Sequence, residues 1–178
     1  MNLSFLIPVK LESEDRVRNL TTVLSFLSKF NSQILIKESD ISPKFESFVL
    51  PNLKNTDHID YTFEKQNNNF FHKTKILNDL IDKSTTEVVA NYDTDVILPV
   101  KSIRKAYEMI ASYQSDAVYP YGCGVFQRAV KYTPDVYEKY INSNLDDKSI
   151  DILKSNSILS ISTIGWCQFI RKKNYIDS

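Results

Sequence analysis

Only three glycines occur in the 178 residues, too few and too scattered for a Gly-rich phosphate loop of the Walker or dinucleotide-binding type. Two cysteines, Cys123 and Cys167, cannot build a disulfide framework, and they lack the spacing of metal ligands. Both read as small buried apolar residues of a reduced chain, so the expected setting is cytoplasmic. An excess of either sign of charge is also missing. Twenty-two Lys and Arg balance 22 Asp and Glu, which leaves no basic footprint for nucleic acid. The first residues enter an apolar run almost at once, without the basic-then-apolar order of a signal peptide. No apolar run approaches the roughly 20 residues needed to cross a bilayer. That excludes a transmembrane segment and is compatible with peripheral membrane association. Apolar residues at 42% and charged residues at 25% are an ordinary globular mixture. At this length one domain with a real core is expected.

The stretch that organises the chain is Val88-Val-Ala-Asn-Tyr-Asp-Thr-Asp-Val-Ile-Leu-Pro99. It places Asp93 and Asp95 between two apolar runs. Burying an unpaired carboxylate costs several kcal/mol or forces protonation. The pattern therefore predicts a strand that ends at Tyr92, with the acids projecting from its carboxyl end toward a cation or water. In α/β sheets that end is where ligands bind. Two acids so placed can bind one hard cation, Mn²⁺ or Mg²⁺; a solvated strand-to-helix turn is the plain alternative.

Before this stretch, Leu3 to Val9 reads as a buried strand ended by Pro8. Ser13 opens a helix over 14–30, marked by Val17, Leu20, Leu24 and Leu27 at helical spacing. Gln33 to Lys37 is a second strand followed by polar Glu38-Ser-Asp40. This is a βα unit of a mostly parallel sheet. Residues 41–60 read as loop with a short ordered piece, Asp60 to Glu64 as a third strand and Phe71 to Lys83 as a helix. Beyond Pro99, Lys101 to Tyr113 is predicted helical, and two strands fall in 116–122 and 125–130. Helices follow at 134–142 and about 146–154, and 158–164 and 167–171 form a closing strand pair across Gly165-Trp166.

Four segments in register resemble the nucleotide-binding half of GT-A glycosyltransferases of family-2-like and galactosyltransferase-like type. They are Phe5-Leu-Ile-Pro-Val-Lys10 with Arg16, Arg18, Asn19 and Leu20; Ile34-Leu-Ile-Lys-Glu38; Phe71-His-Lys-Thr-Lys-Ile-Leu-Asn78; and Tyr92-Asp-Thr-Asp-Val-Ile-Leu-Pro99. The resemblance implies a Rossmann-like three-layer α/β/α sandwich with a mostly parallel, mixed central sheet. It implies a nucleotide-sugar donor, commonly a UDP-sugar, with Mn²⁺ or Mg²⁺ on its diphosphate, and a glycan or other hydroxyl acceptor. Pro8 and Val9 would line the uracil and ribose pocket through their backbone, and Glu38 would bond base or ribose. Lys73 would be a basic nucleotide contact, and Lys10, Arg16 and Thr94 complete the nucleotide set. Asp93 would lie near ribose and metal, and Asp95 would ligate the metal directly. Tyr119, Tyr121 and Gly122 would help shape the sugar site. Trp166 reads either as a sugar-stacking platform or as core, and His72 as a loop or capping residue.

One departure narrows this. The group's acidic W-G-x-E-D block, which supplies the acceptor base, does not occur, nor does a later third metal ligand. No catalytic residue is assigned. The expectation is a single nucleotide-sugar-binding domain over 1–178, the N-terminal part of a longer protein that lacks the acceptor and base segment. Two other readings stay open. A donor-binding scaffold would explain the missing block. A nucleotidyltransferase would want glycines in the phosphate loop after the first strand, and Lys10-Leu-Glu-Ser-Glu has none.

Overall fold

A computed structural model describes residues 1–67, 70–122, 127–160 and 165–176. Its frame is a six-stranded sheet in the order β3-β2-β1-β4-β8-β5. Here β1 is Leu3–Val9, β2 Gln33–Asp40, β3 Ile59–Lys65, β4 Val88–Tyr92, β5 Ala117–Val118 and β8 Cys167–Arg171. The first four strands run parallel. β8 enters antiparallel between β4 and β5. The outcome is the expected mixed, mostly parallel sheet with helices on both faces, a Rossmann-like GT-A sandwich.

Side-chain alternation divides the core in two. Phe5, Ile7, Ile34, Ile36, Ala90 and Tyr92 face one side, where Leu20 and Leu24 of α1 (Glu14–Leu27) and Ile103 of α3 (Val100–Ala111) pack. Leu6, Leu35 and Val89 face the other, against Ile76, Leu80 and Ile81 of α2 (Lys73–Lys83). Both crossovers thus bury a helix stripe on a sheet face, and most of their stability comes from that burial. Ser13 caps α1, its hydroxyl accepting from the Arg16 N–H. Pro8 sits inside β1 without breaking it. β1 pairs with β4 only over Leu3–Leu6, so Pro8 lies where the strand has β2 as its one ladder neighbour.

β2 extends through Glu38-Ser-Asp40, which the sequence pattern treated as polar residues after the strand. All three are buried. They stay in the strand because Lys44 and the turn at 44–45 supply hydrogen bonds to the two acids. The closing pair is also different. β7 (Ser157–Leu159) pairs with β6 (Arg128–Val130) in a separate two-stranded sheet, while β8 joins the main sheet. Parts of the segments expected as strands, 123–126 and 161–164, lie outside the described residues, as does Cys123. Cys167 is a buried free thiol, as expected. α4 (Pro134–Ile141) and α5 (Ile150–Lys154) precede β7, and α6 (Lys172–Ile176) follows β8.

Candidate functional site

The chain leaves β1 toward β2 on one side and returns through β4 on the other, so strand order reverses between β1 and β4. A crevice outside the carboxyl ends is expected at such a switch point. Lys10 follows β1 there, and Asp93, Thr94 and Asp95 follow β4, whose last strand residue is Tyr92. The strand ends where the apolar run meets the acids, as the burial argument required.

α2 brings Lys73 to the same place. Its Nζ lies 2.5 Å from Asp93 Oδ1. Burial pushes the Asp93 carboxyl above the usual carboxylate range; Lys73 pulls it back, Asp95 adds to the rise and Arg16 opposes it. Asp95 is exposed and Thr94 buried. Pro8 and Val9 have buried side chains, Arg16 is exposed, and Lys10 pairs with Glu12 at 2.7 Å. The carboxyl edge therefore gathers Lys10, Arg16, Lys73, Asp93 and Asp95 from two loops and two helix starts.

Gly165 and Trp166 buttress the acids. The Asp93 N–H donates to the Trp166 carbonyl at 2.9 Å. Gly165 holds φ at 102°, a conformation that suits glycine, and its N–H donates to the Tyr121 hydroxyl at 2.9 Å. The Tyr121 ring lies 5.2 Å from Trp166 and 6.0 Å from Tyr119, centroid to centroid. Trp166 is half-buried, so it both packs and presents an aromatic surface beside Asp93.

Glu38 has a different environment. It is fully buried, and its carboxylate accepts from Lys44 N at 3.0 Å, Phe45 N at 3.1 Å and the Tyr61 hydroxyl at 2.7 Å. Those donors hold the turn after β2, on the α1 face. Its neighbour Ser39 points by alternation to the α2 face, which Pro8 and Asn91 share. The Ser39 hydroxyl and the Asn91 side-chain oxygen are buried without a hydrogen-bond partner among the described residues. Sequence reasoning missed both, because an orphaned polar atom has no sequence signal. His72 occupies the N-cap position of α2 without a side-chain cap bond.

Two cavities flank α1. One of about 120 Å³ includes Asp95 in its lining, with Arg18 and Asn19. A larger, open groove of about 620 Å³ runs past Leu11, Glu12, Lys44 and Phe48. Lys73 and Asp93 line neither. Among the described residues no group of three or more His, Cys, Asp or Glu gathers as a ready-made metal cage. The acid pair does fit a hard cation that keeps other ligands: its donors are all oxygen, and the charge on Asp95 opposes ionisation of Asp93, a conflict a dication would relieve.

No protein-family profile and no curated protein sequence matches the chain. Solved structures do. Residues 1–349 of TarS from S. aureus in complex with UDP-GlcNAc share 18% identity at a TM-score of 0.58, over 99% of this chain and 47% of that one. The mannosyltransferase PcManGT from Pyrobaculum calidifontis in complex with GDP-Man and Mn²⁺ shares 12% at 0.53, over 99% and 46%. Glucosyl-3-phosphoglycerate synthase from Mycobacterium tuberculosis in complex with UDP shares 12% at 0.50, over 96% and 57%. The chain spans about half the length of these proteins. Such likeness establishes a shared glycosyltransferase-like fold.

Proposed function

We propose that this chain binds a nucleotide-sugar donor, a UDP-sugar, with Mn²⁺ or Mg²⁺, as the donor-binding part of a metal-dependent glycosyltransferase. The type is family-2-like or galactosyltransferase-like, and the acceptor is a hydroxyl of a glycan. The observation that carries this reading is the Lys73–Asp93 ion pair beside exposed Asp95, at the strand-order reversal. Relatives in fold that were solved with UDP, UDP-GlcNAc or GDP-Man and Mn²⁺ support it.

In this reading Asp95 and Asp93 hold the metal. A dication held by these two carboxylates would supply positive charge against that of a nucleoside diphosphate leaving group. Lys73, Arg16 and Lys10 add positive charge at the diphosphate. Pro8, Val9 and Thr94 present backbone edges to base and ribose. Glu38 acts indirectly, by fixing the turn at 44–45. The expected setting is cytoplasmic; no described helix is long and apolar enough to cross a membrane.

Thermal shift tests the reading. A ligand at 100 times its Kd stabilises by about 2.7 kcal/mol. UDP with Mn²⁺ should raise the Tm, and Asp95→Ala should remove the metal-dependent part. A shift with ATP or CTP and none with UDP or GDP overturns the donor assignment. A second reading, donor binding without transfer, is favoured by a site at which, among the described residues, no third His, Cys, Asp or Glu joins the two carboxylates. Release of UDP from a UDP-sugar by this chain would exclude it.

A further inference from the structure

β4 ends at Tyr92, so beyond Asp93 no strand ladder holds the backbone that carries Asp95. Thr94 and Asp95 lie in a turn. Both ends of that turn are held by groups from outside it. At the front, the Asp93 N–H donates to the Trp166 carbonyl, and the adjoining Gly165 N–H donates to the Tyr121 hydroxyl, each at 2.9 Å. At the back, the Tyr92 hydroxyl donates to the Val96 carbonyl at 3.1 Å. That bond spans four residues and draws the chain after Asp95 back toward the end of β4. The Tyr92 ring is fully buried and meets Phe5 of β1 edge to face, 5.7 Å between centroids. The turn is therefore anchored in the close-packed core. Burial alone does not dictate such a bond. Tyr140 is buried to the same degree, and its hydroxyl has no hydrogen-bond partner among the described residues.

Two carboxylates that share one cation have to be held in a fixed relation, and the groups around them supply that constraint. Asp93 has Lys73 as a partner for its carboxylate. Asp95 is exposed, so its placement follows from the backbone beneath it. We infer that Tyr92 and Tyr121 are positioning residues of the acid pair. The Tyr92 hydroxyl fixes the backbone after Asp95. The Tyr121 hydroxyl, through Gly165 and Trp166, fixes the backbone of Asp93. Together they set how the two carboxylates stand toward one divalent cation. Both hydroxyls act through backbone groups, so metal affinity depends on them without contact. The inference rests on the donor-binding reading above.

Trp166 is the only tryptophan in the sequence, so its emission reports Mn²⁺ arriving at the neighbouring acids. Mn²⁺ is titrated into wild type, Tyr92→Phe, Tyr121→Phe and Tyr61→Phe at a fixed concentration of UDP, and each protein is melted in EDTA. Tyr61→Phe also removes a tyrosine hydroxyl that bonds inside the fold, to Glu38, and so controls for lost stability. Mn²⁺ should bind Tyr92→Phe and Tyr121→Phe about threefold to tenfold more weakly, the worth of one hydrogen bond. It should bind Tyr61→Phe as it binds wild type, whatever the Tm in EDTA. Wild-type Mn²⁺ affinity in either variant, or an equal loss in Tyr61→Phe, overturns the inference. Where Tyr92→Phe does not fold, Tyr121→Phe decides by the same criterion. If Mn²⁺ with UDP fails to bind wild type, the donor reading falls first and this inference with it. Equal Mn²⁺ binding by all four proteins leaves that reading standing and removes only this inference.

Discussion

Lys73 and Asp93 stand 20 residues apart in sequence and meet at 2.5 Å, Nζ to Oδ1. The contact joins the amino end of α2 to the carboxyl end of β4. Burial nevertheless wins over Lys73 in setting the Asp93 carboxyl, which lies above its ordinary range. Asp93→Asn should therefore leave the metal-free protein as stable as wild type or slightly more so, by up to about 1 kcal/mol. The same change should abolish the Mn²⁺-dependent gain with UDP. Melts in EDTA and in Mn²⁺ plus UDP separate the two effects. A large loss of stability in EDTA would show that the ion pair holds the fold rather than a ligand.

Glu38 and Tyr61 make a second, wholly structural prediction. The Tyr61 phenol is pushed up, first by burial and then by the Glu38 carboxylate to which it donates. Tyr61→Phe removes one donor and leaves two backbone N–H groups on the same carboxylate. A loss of about 1–3 kcal/mol is expected in urea melts. Glu38→Ala orphans all three donors and should cost more. Neither change should alter UDP affinity once the variant is folded; a specific loss of affinity would return Glu38 to the nucleotide site.

What was legible in the sequence follows from how local each cause is. β4 and its end at Tyr92 could be read because a β-branched run meets two acids within one segment. α1 and α2 could be read from their apolar stripes and, for α1, from Ser13. The length of β2 could not. Glu38 and Asp40 are kept inside the strand by Lys44, Phe45 and Tyr61, partners that local patterning does not show. The pairing of β8 was hidden for a similar reason, since Cys167–Arg171 inserts beside a strand about 80 residues earlier. At the site, the acids and Lys73 were legible as residues. The partnerless Ser39, Asn91 and Tyr140 were not, because lacking a partner is a property of the folded surroundings.

Glu64 sets a dependence on pH. It accepts from Lys37 at 2.5 Å and Lys75 at 2.7 Å, and Gln66 also donates to it. Lys37 is shared with Asp79 of α2. The two lysines bring the Glu64 carboxyl from 4.5 down to about 2. A depressed folded-state value means that the unfolded chain takes up the proton first as pH falls. The stabilisation is therefore complete above about pH 5, is lost progressively between about pH 4.5 and 2, and does not vary near neutrality. Lys75 is mostly exposed, so solvent screening reduces the contribution to about 1–2 kcal/mol. Glu64→Gln should cost that much at pH 7 and flatten the acid limb of the stability profile. An unchanged acid limb would mean that other carboxylates govern acid unfolding.

Ser39 offers the sharpest separation of fold from function. Its hydroxyl is buried at the carboxyl end of β2 with no partner among the described residues, on the sheet face shared with Pro8. In the free chain that unpaired group costs about 1–3 kcal/mol relative to a paired one, whereas an apolar replacement carries no such penalty. Ser39→Ala should therefore match or exceed wild type in stability without ligand. A hydroxyl retained at such a cost beside the strand-order reversal is expected to meet a polar atom of the nucleotide once that ligand settles. UDP affinity should then fall about threefold to tenfold in Ser39→Ala, one hydrogen bond's worth. Equal affinity together with a higher Tm would mark Ser39 as a packing defect and confine the nucleotide contacts to the edge formed by Lys10, Lys73 and Asp93.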